Sequence, residues 1–153
     1  MESFKNNSKN FEEECIDLLI DDPDGSLLLN ILLNFKLSDE FLKLNVKNYR
    51  HNHWIYLSVF QKPSIDFTVK YFEEMNRGNV VIGNKNVNIE IIYRMADTFN
   101  ESQWDLISER LYLPKEFLIK YANKINWNTI YERKDELIGF DEEVEVIYKM
   151  YKL

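Results

Sequence analysis

Sliding the chain against itself by 50 residues, without a gap, lays residues 37–80 over residues 87–130 and finds seven identities. They are Glu40/Glu90, Trp54/Trp104, Ser58/Ser108, Phe67/Phe117, Lys70/Lys120, Tyr71/Tyr121 and Asn76/Asn126. Further positions pair similar residues, such as Phe41/Ile91, Tyr49/Phe99, Leu57/Ile107 and Val69/Ile119. At average residue usage, random pairing over this span gives roughly two or three identities. An internal period constrains a fold strongly, because each copy is one supersecondary piece that must bury its apolar face against its neighbours.

The period halves. Ser38-Asp39-Glu40-Phe41 returns as Ser64-Ile65-Asp66-Phe67 and as Pro114-Lys115-Glu116-Phe117. In each, a Ser or Pro opens a helix, an acid sits in the first turn and an aromatic begins the buried face. A partner element is expected to start at a Trp, at Trp54, Trp104 and Trp127, with Leu57, Ile107 and Ile130 three residues on and on the same face. The steps between Phe41, Phe67, Ile91 and Phe117 are 26, 24 and 26 residues. Each copy therefore reads as a longer helix, a short link and a shorter helix, with copies starting near 37, 63, 87 and 113. The links are expected at Asn52, Gly78-Asn79, Asn100 and Asn123, residue types that tolerate left-handed backbone.

Four Gly and three Pro in 153 residues leave too few turn formers for a β-sandwich or barrel, which favours helices. The fold class expected is all-α: tandem helix-pair repeats forming a small α-solenoid or a compact helical bundle. Residues 1–9 read as a disordered N-terminus and 10–153 as a single helical domain. Within it, 10–36 form a helical hairpin, 37–134 the repeats and 135–153 a C-terminal capping helix. The first helix is expected to start near Asn10, with Glu12, Glu13 and Glu14 in its first turn and Phe11, Cys15, Leu18 and Leu19 on its buried face. Asp22-Pro23-Asp24-Gly25 is a turn, and Ser26 is expected to cap the second helix. The last helix, Asp141 to Tyr151, starts with acids and ends near Lys149 and Lys152, matching the helix dipole.

The pattern Trp104-x-x-Ile107-Ser108, then Leu113-Pro114-x-x-Phe117 and Tyr121, then Trp127-x-x-Ile130 resembles short tandem repeats in proteins of phages and large DNA viruses. The resemblance covers about residues 37–134 and is degenerate at 63–100, where Val80 or Val81 stands at the Trp place. It implies a helical scaffold from a phage, a virus or a mobile element. It implies no catalytic activity, because the matching residues are cap and core residues. A content of 17 Asn, and Lys over Arg by 14 to 5, goes with an AT-rich coding sequence and so agrees with that source.

Candidate chemistry is sparse. His51 and His53 stand two apart, but no Cys lies nearby and a zinc site needs three or four ligands, so both read as surface histidines and no metal is expected. Cys15 sits among Glu12, Glu13, Glu14 and Asp17, which raise a thiol pKa, so it reads as a core cysteine rather than a nucleophile. The tryptophans can serve as base-stacking platforms, but their regular spacing favours packing between copies. Phosphate-cradling, dinucleotide, zincin and nucleophile-elbow motifs are absent from the sequence, and no cofactor is expected. No apolar run approaches a membrane span, and the polar start MESFKNNSKN predicts no secretory signal, so a cytoplasmic location is expected, in the host cell if the source is a phage or virus.

Net charge is −7 and uneven. Residues 1–24 carry eight acids against two lysines, and the C-terminal end is acidic too, so direct nucleic-acid binding is not expected. The candidate partner-binding residues are Glu12, Glu13, Asp17, Asp21, Asp22, Asp24, Glu142 and Glu143. Carboxylates spaced along a helix can occupy a basic groove in place of nucleic-acid phosphates. A solvated helix face is the plainer reading of the same run. Three functions stay open at this level. One is a non-catalytic binding protein that docks on a host protein, such as a nucleic-acid-binding complex, as an accessory inhibitor of host defence of the anti-CRISPR kind. Another is a self-associating structural or regulatory repeat protein of unknown oligomeric state. The last is an enzyme of unfamiliar type.

Overall fold

The computed structural model describes residues 2–76, 80–84, 87–110, 112–137 and 139–152, with residues 2–10 described by backbone alone. The expected links at Gly78 and Asn79 lie outside the described residues. The chain is all-helical, and among the described residues there is no strand. It divides into two compact units, Met1–Val80 and Val81–Leu153.

The N-terminal unit holds α1 (Glu2–Leu19), α2 (Ser26–Asn34), α3 (Asp39–Leu44), α4 (His51–Phe60), α5 (Ile65–Lys70) and α6 (Phe72–Met75). A short 3-10 turn, Val46–Asn48, joins α3 to α4. Helix α7 (Val80–Gly83) spans the boundary. The C-terminal unit holds α8 (Ile89–Met95), α9 (Glu101–Ser108), α10 (Lys115–Lys120), α11 (Trp127–Glu132) and α12 (Glu142–Tyr151), with a 3-10 turn at Ala96–Thr98 after α8.

The starts of these helices follow from side-chain caps. Ser38 and Ser64 accept hydrogen bonds from the Phe41 and Phe67 amides at 3.1 and 3.2 Å. Pro114 takes the same place ahead of α10, where its missing N–H costs nothing. Asn100 and Gln103 cap each other reciprocally at 3.0 Å, which starts α9 at Glu101, ahead of Trp104. His53 plays a related part in α4: its Nδ1 accepts the Arg50 N–H at 2.9 Å. Trp54 and Trp104 therefore sit in the first turn or just beyond it rather than at the helix start, and Asn52 is helical rather than part of a link. Trp127 does open α11. The relative lengths are reversed for two of the pairs: α3 has six residues against ten in α4, and α8 seven against eight in α9. In the other two pairs α5 has six residues against four in α7, and α10 and α11 have six each. The reason is local: the chain leaves α3 and α8 through tight 3-10 turns that an uninterrupted apolar periodicity does not reveal.

Two regions near the N-terminus also differ from expectation. Helix α1 is helical from Glu2, through the polar segment read as disordered. That segment has no Gly or Pro to stop it, and adding residues to an existing helix is far easier than starting one. At α2, Ser26 is the first helical residue and not the cap. Asp24 Oδ1 accepts its amide at 3.0 Å, and the two Asp22 carboxylate oxygens accept the Leu27 and Leu28 amides at 3.2 and 2.9 Å.

The core of each unit is a set of aromatic rings in one arrangement. In the N-terminal unit Trp54 lies 6.5 Å from Phe67 and 5.4 Å from Tyr71, and Phe67 lies 4.8 Å from Tyr71. In the C-terminal unit the corresponding distances for Trp104, Phe117 and Tyr121 are 6.1, 5.2 and 4.7 Å. Tyr49 meets Trp54 edge-on, as Phe99 meets Trp104. Lys70 and Lys120 each cover the following tyrosine ring, at 5.0 and 4.9 Å. Ser58 and Ser108 each donate to the carbonyl of their tryptophan at 2.8 Å. All three tryptophans are buried, as packing residues are, and not laid open as stacking platforms.

Buried polar side chains stitch segments that lie one half-period apart. Gln61 Nε2 donates to Leu32 O and Phe35 O at 2.6 and 2.7 Å. The Arg110 guanidinium donates to Ile82 O, Asn84 O and Val87 O at 3.0–3.1 Å. Both direct charged or amide donors at backbone carbonyls in buried or part-buried surroundings.

Candidate functional site

Helix α1 has two faces. Cys15 and Leu19 point into the N-terminal unit and are buried, with Phe11 half-buried against Phe35 at 4.5 Å between ring centroids. Leu18, expected on that face, is 62% exposed, and Ile20 is 78% exposed. At 100° per residue Leu18 falls at the edge of the buried stripe, about 40° from Glu14, about 60° from Cys15 and about 100° from Leu19. Burial, followed by the charges of Glu14 and Glu12, pushes the Cys15 thiol up, which makes it an inert core residue.

The outer face carries Glu13, Glu14, Asp17 and, just past the helix end, Asp21, all exposed and with no ion pair among the described residues. Glu13 and Asp17 are four residues apart, and so are Asp17 and Asp21, a spacing at which like charges repel on a helix. Because α1 starts at Glu2, these acids do not occupy its first turn. Asp17 lies in the last turn, where the helix dipole already presents its negative end, and no basic residue shares that turn. The face is thus held against its own electrostatics and flanked by two exposed aliphatic side chains.

The other acids singled out from the sequence have structural work. Glu12 accepts from the Ser38 amide at 2.7 Å and from its hydroxyl at 2.5 Å, tying α1 to the start of α3. Asp22 and Asp24 cap α2, and the Ser26 amide holds the Asp24 carboxyl below its ordinary value. Glu143 belongs to the C-terminal unit and pairs with Lys115 at 2.5 Å. Beside it Asp141 caps α12 and pairs with the same lysine at 2.8 Å. Glu142 is exposed at the start of α12. Glu13, Asp17, Asp21 and Glu142 thus remain without a fold contact among the described residues, and Glu14, not singled out before, joins the α1 group.

The histidines differ from each other. His51 is exposed, but His53 is buried rather than at the surface, with 3% of its area accessible. Its Nδ1 accepts from Arg50 N–H and its Nε2 donates to Gly25 O at 2.9 Å, which assigns the neutral Nε2–H tautomer. The clue in the sequence was Gly25 itself, whose φ of 75° and missing side chain make room for the imidazole. Among the described residues no group of three or more His, Cys, Asp or Glu is placed to hold a metal ion. The displaced carboxyls Asp24 and Asp141 are both held low, by amide donors and by Lys115, as caps are. Among the described residues no helix is long and apolar enough to cross a membrane.

No family model matches this chain, and no curated protein or solved structure matches it.

Proposed function

We propose that this chain is a non-catalytic protein-binding protein whose acidic α1 face docks on a basic surface of a partner protein. The observation that carries the reading is the set Glu13, Glu14, Asp17 and Asp21 towards the negative end of α1, without an ion pair among the described residues and with Leu18 and Ile20 exposed beside it. Such a face gives long-range attraction to a cationic groove, and the aliphatic side chains give it something to bury on contact. The scaffold behind it is read as an array of helical pairs with a 50-residue period. Supporting this, most of the residues shared between 37–80 and 87–130 are those whose ring distances, serine-to-tryptophan hydrogen bonds and lysine covers recur. With the resemblance to phage and viral repeats, the reading extends to an accessory inhibitor of a host nucleic-acid-handling complex, such as an anti-CRISPR, acting in the host cytoplasm.

The test is capture from host extract with the immobilised chain, followed by titration of the identified partner with the wild type and with the triple variant E13Q/D17N/D21N. The expected result is one basic partner whose affinity falls with salt and falls at least tenfold in the triple variant. Binding that survives both the variant and about 0.5 M salt, where screening is strong, overturns the reading.

A second reading, self-association, rests on the outer side of α12, where Val146 and Met150 are 56% and 69% exposed one turn apart. Light scattering that shows a concentration-dependent dimer, abolished by V146E/M150E, favours it. A monomer at the highest soluble concentration removes it.

A further inference from the structure

Within the N-terminal unit, the α1–α2 turn faces the segment between α3 and α4 across a cleft of about 320 Å³. Ile20 contributes exposed apolar surface, with the buried Leu19 and Leu28 behind it, and Lys47, Asn48 and Arg50 contribute donors. Asp22 is the one acid in the lining, and both its carboxylate oxygens already accept amides of α2. Arg50 uses two of its five N–H donors on Pro23 O and Asp24 O, so its guanidinium is fixed in place with donors to spare. Lys47 is exposed and finds no carboxylate partner among the described residues. In an otherwise acidic chain, this cleft collects two cations that have no carboxylate partner among the described residues.

We propose that the cleft is a binding site for a small molecule bearing an oxyanion, a carboxylate or a phosphate, with Lys47 and Arg50 as the anion contacts. The reasoning is a count of donors and charge. A guanidinium clamped by backbone carbonyls has lost its rotamer entropy before any ligand arrives, which favours binding. The lysine supplies a second, mobile charge, and Asn48 keeps an amide donor after its bond to Asn45 Oδ1 at 3.3 Å. Ile20 favours a ligand with a short apolar part next to the anion. A cleft of this volume lies at the small end of ligand sites, which suits a small occupant. This site is separate in chemistry from the outer face of α1: one attracts cations, the other anions.

The test is a titration with inorganic phosphate and, separately, with butyrate, at ionic strength held constant with sodium chloride. Chemical shifts of the Gly25, Asn48 and Arg50 amides are followed by heteronuclear NMR. Saturable shifts confined to these amides, reaching a plateau below about 50 mM, are expected for at least one of the two anions. Tighter phosphate binding marks a dianion site, and tighter butyrate binding marks a carboxylate site with an apolar arm. Lys47→Gln should raise the apparent Kd about tenfold, the loss expected for one charge-assisted contact. Because Lys47 is exposed and has no ion pair among the described residues, the remainder of the K47Q spectrum should overlay the wild type. No saturation with either anion, or an unchanged Kd in K47Q, overturns the proposal.

Discussion

At Gly25 the backbone holds φ at 75°, and a Cβ there would stand 2.6 Å from His53 Cε1. An L-residue adds a left-handed strain of about 1–2 kcal/mol and displaces an imidazole whose bond to Gly25 O contributes about 1 kcal/mol more. Gly25→Ala should therefore destabilise by about 2–3 kcal/mol, a fall of about 4–12 °C in melting temperature for a chain of this size. Gly139 is placed differently. A Cβ on it would run into the Leu113 carbonyl oxygen and crowd the Lys115 amide, both backbone and unable to swing aside. Gly139→Ala should cost at least as much, by prying apart the approach to α10. Gly83 has nothing within 4 Å of an added Cβ and is the control. Gly83→Ala should leave stability unchanged or raise it by up to about 1 kcal/mol, through the helix propensity of alanine. Thermal melts of the three variants check the set, and equal losses at all three would refute the steric account.

At the scale of elements, α1 and α12 carry opposite electrostatic designs. Asp17 sits at the negative end of α1 and four residues from Glu13, so Asp17→Asn should stabilise the free protein by about 0.3–1 kcal/mol. The same change should weaken partner binding, because the repulsion that it relieves is what a basic surface would otherwise neutralise. Chemical denaturation alongside partner titration separates the two effects. A variant that is destabilised, or binds as well as wild type, would contradict the role given to α1. Helix α12 has the stabilising arrangement. Lys115 donates to Asp141 at 2.8 Å, the Val144 amide donates to the same carboxyl at 3.1 Å, and together they hold it below its ordinary value of 3.8. A folded-state pKa that is lowered gives stability that is present above the unfolded value and lost as pH falls through the folded one. Asp24 is lowered in the same sense by the Ser26 amide. The melting temperature should stay level from pH 7 to about 5 and fall below about 4. Asp141→Asn should start lower at pH 7 and fall less steeply, so that the two curves approach each other in acid. Parallel curves would show that this carboxyl is not the titrating group.

At the scale of the whole chain, the sequence disclosed what its period repeats and concealed what happens between copies. Trp54, Phe67 and Tyr71 could be read as core because Trp104, Phe117 and Tyr121 echo them at a fixed offset, and one sequence suffices to see that. Ser38 and Ser64 could be read as caps because a cap is a local bond between neighbours in the chain, whereas Asp141, expected as the first residue of α12, is its cap. Gln61 and Arg110 escaped notice, and His53 was misplaced at the surface, because their partners lie 23–29 residues away and are carbonyls, which every residue type possesses. The acids of α1 were visible as a run, but which of them face solvent depended on where the helix begins. A period also bears on cooperativity, since in repeat architectures each segment depends mainly on its immediate neighbours. The aromatic neighbours of Trp104 are Phe99, Phe117 and Tyr121, all in the C-terminal unit. Trp104→Ala should cost about 3–5 kcal/mol as a buried aromatic truncation. Hydrogen exchange should then show protection lost across α9 to α12, while α2, α4 and α5 keep theirs. Trp54→Ala should give the converse pattern, exposing α4 to α6 and sparing α10 to α12. Uniform loss of protection in both variants would mean that the two units fold as one cooperative body, and that the period is a property of the packing but not of the stability.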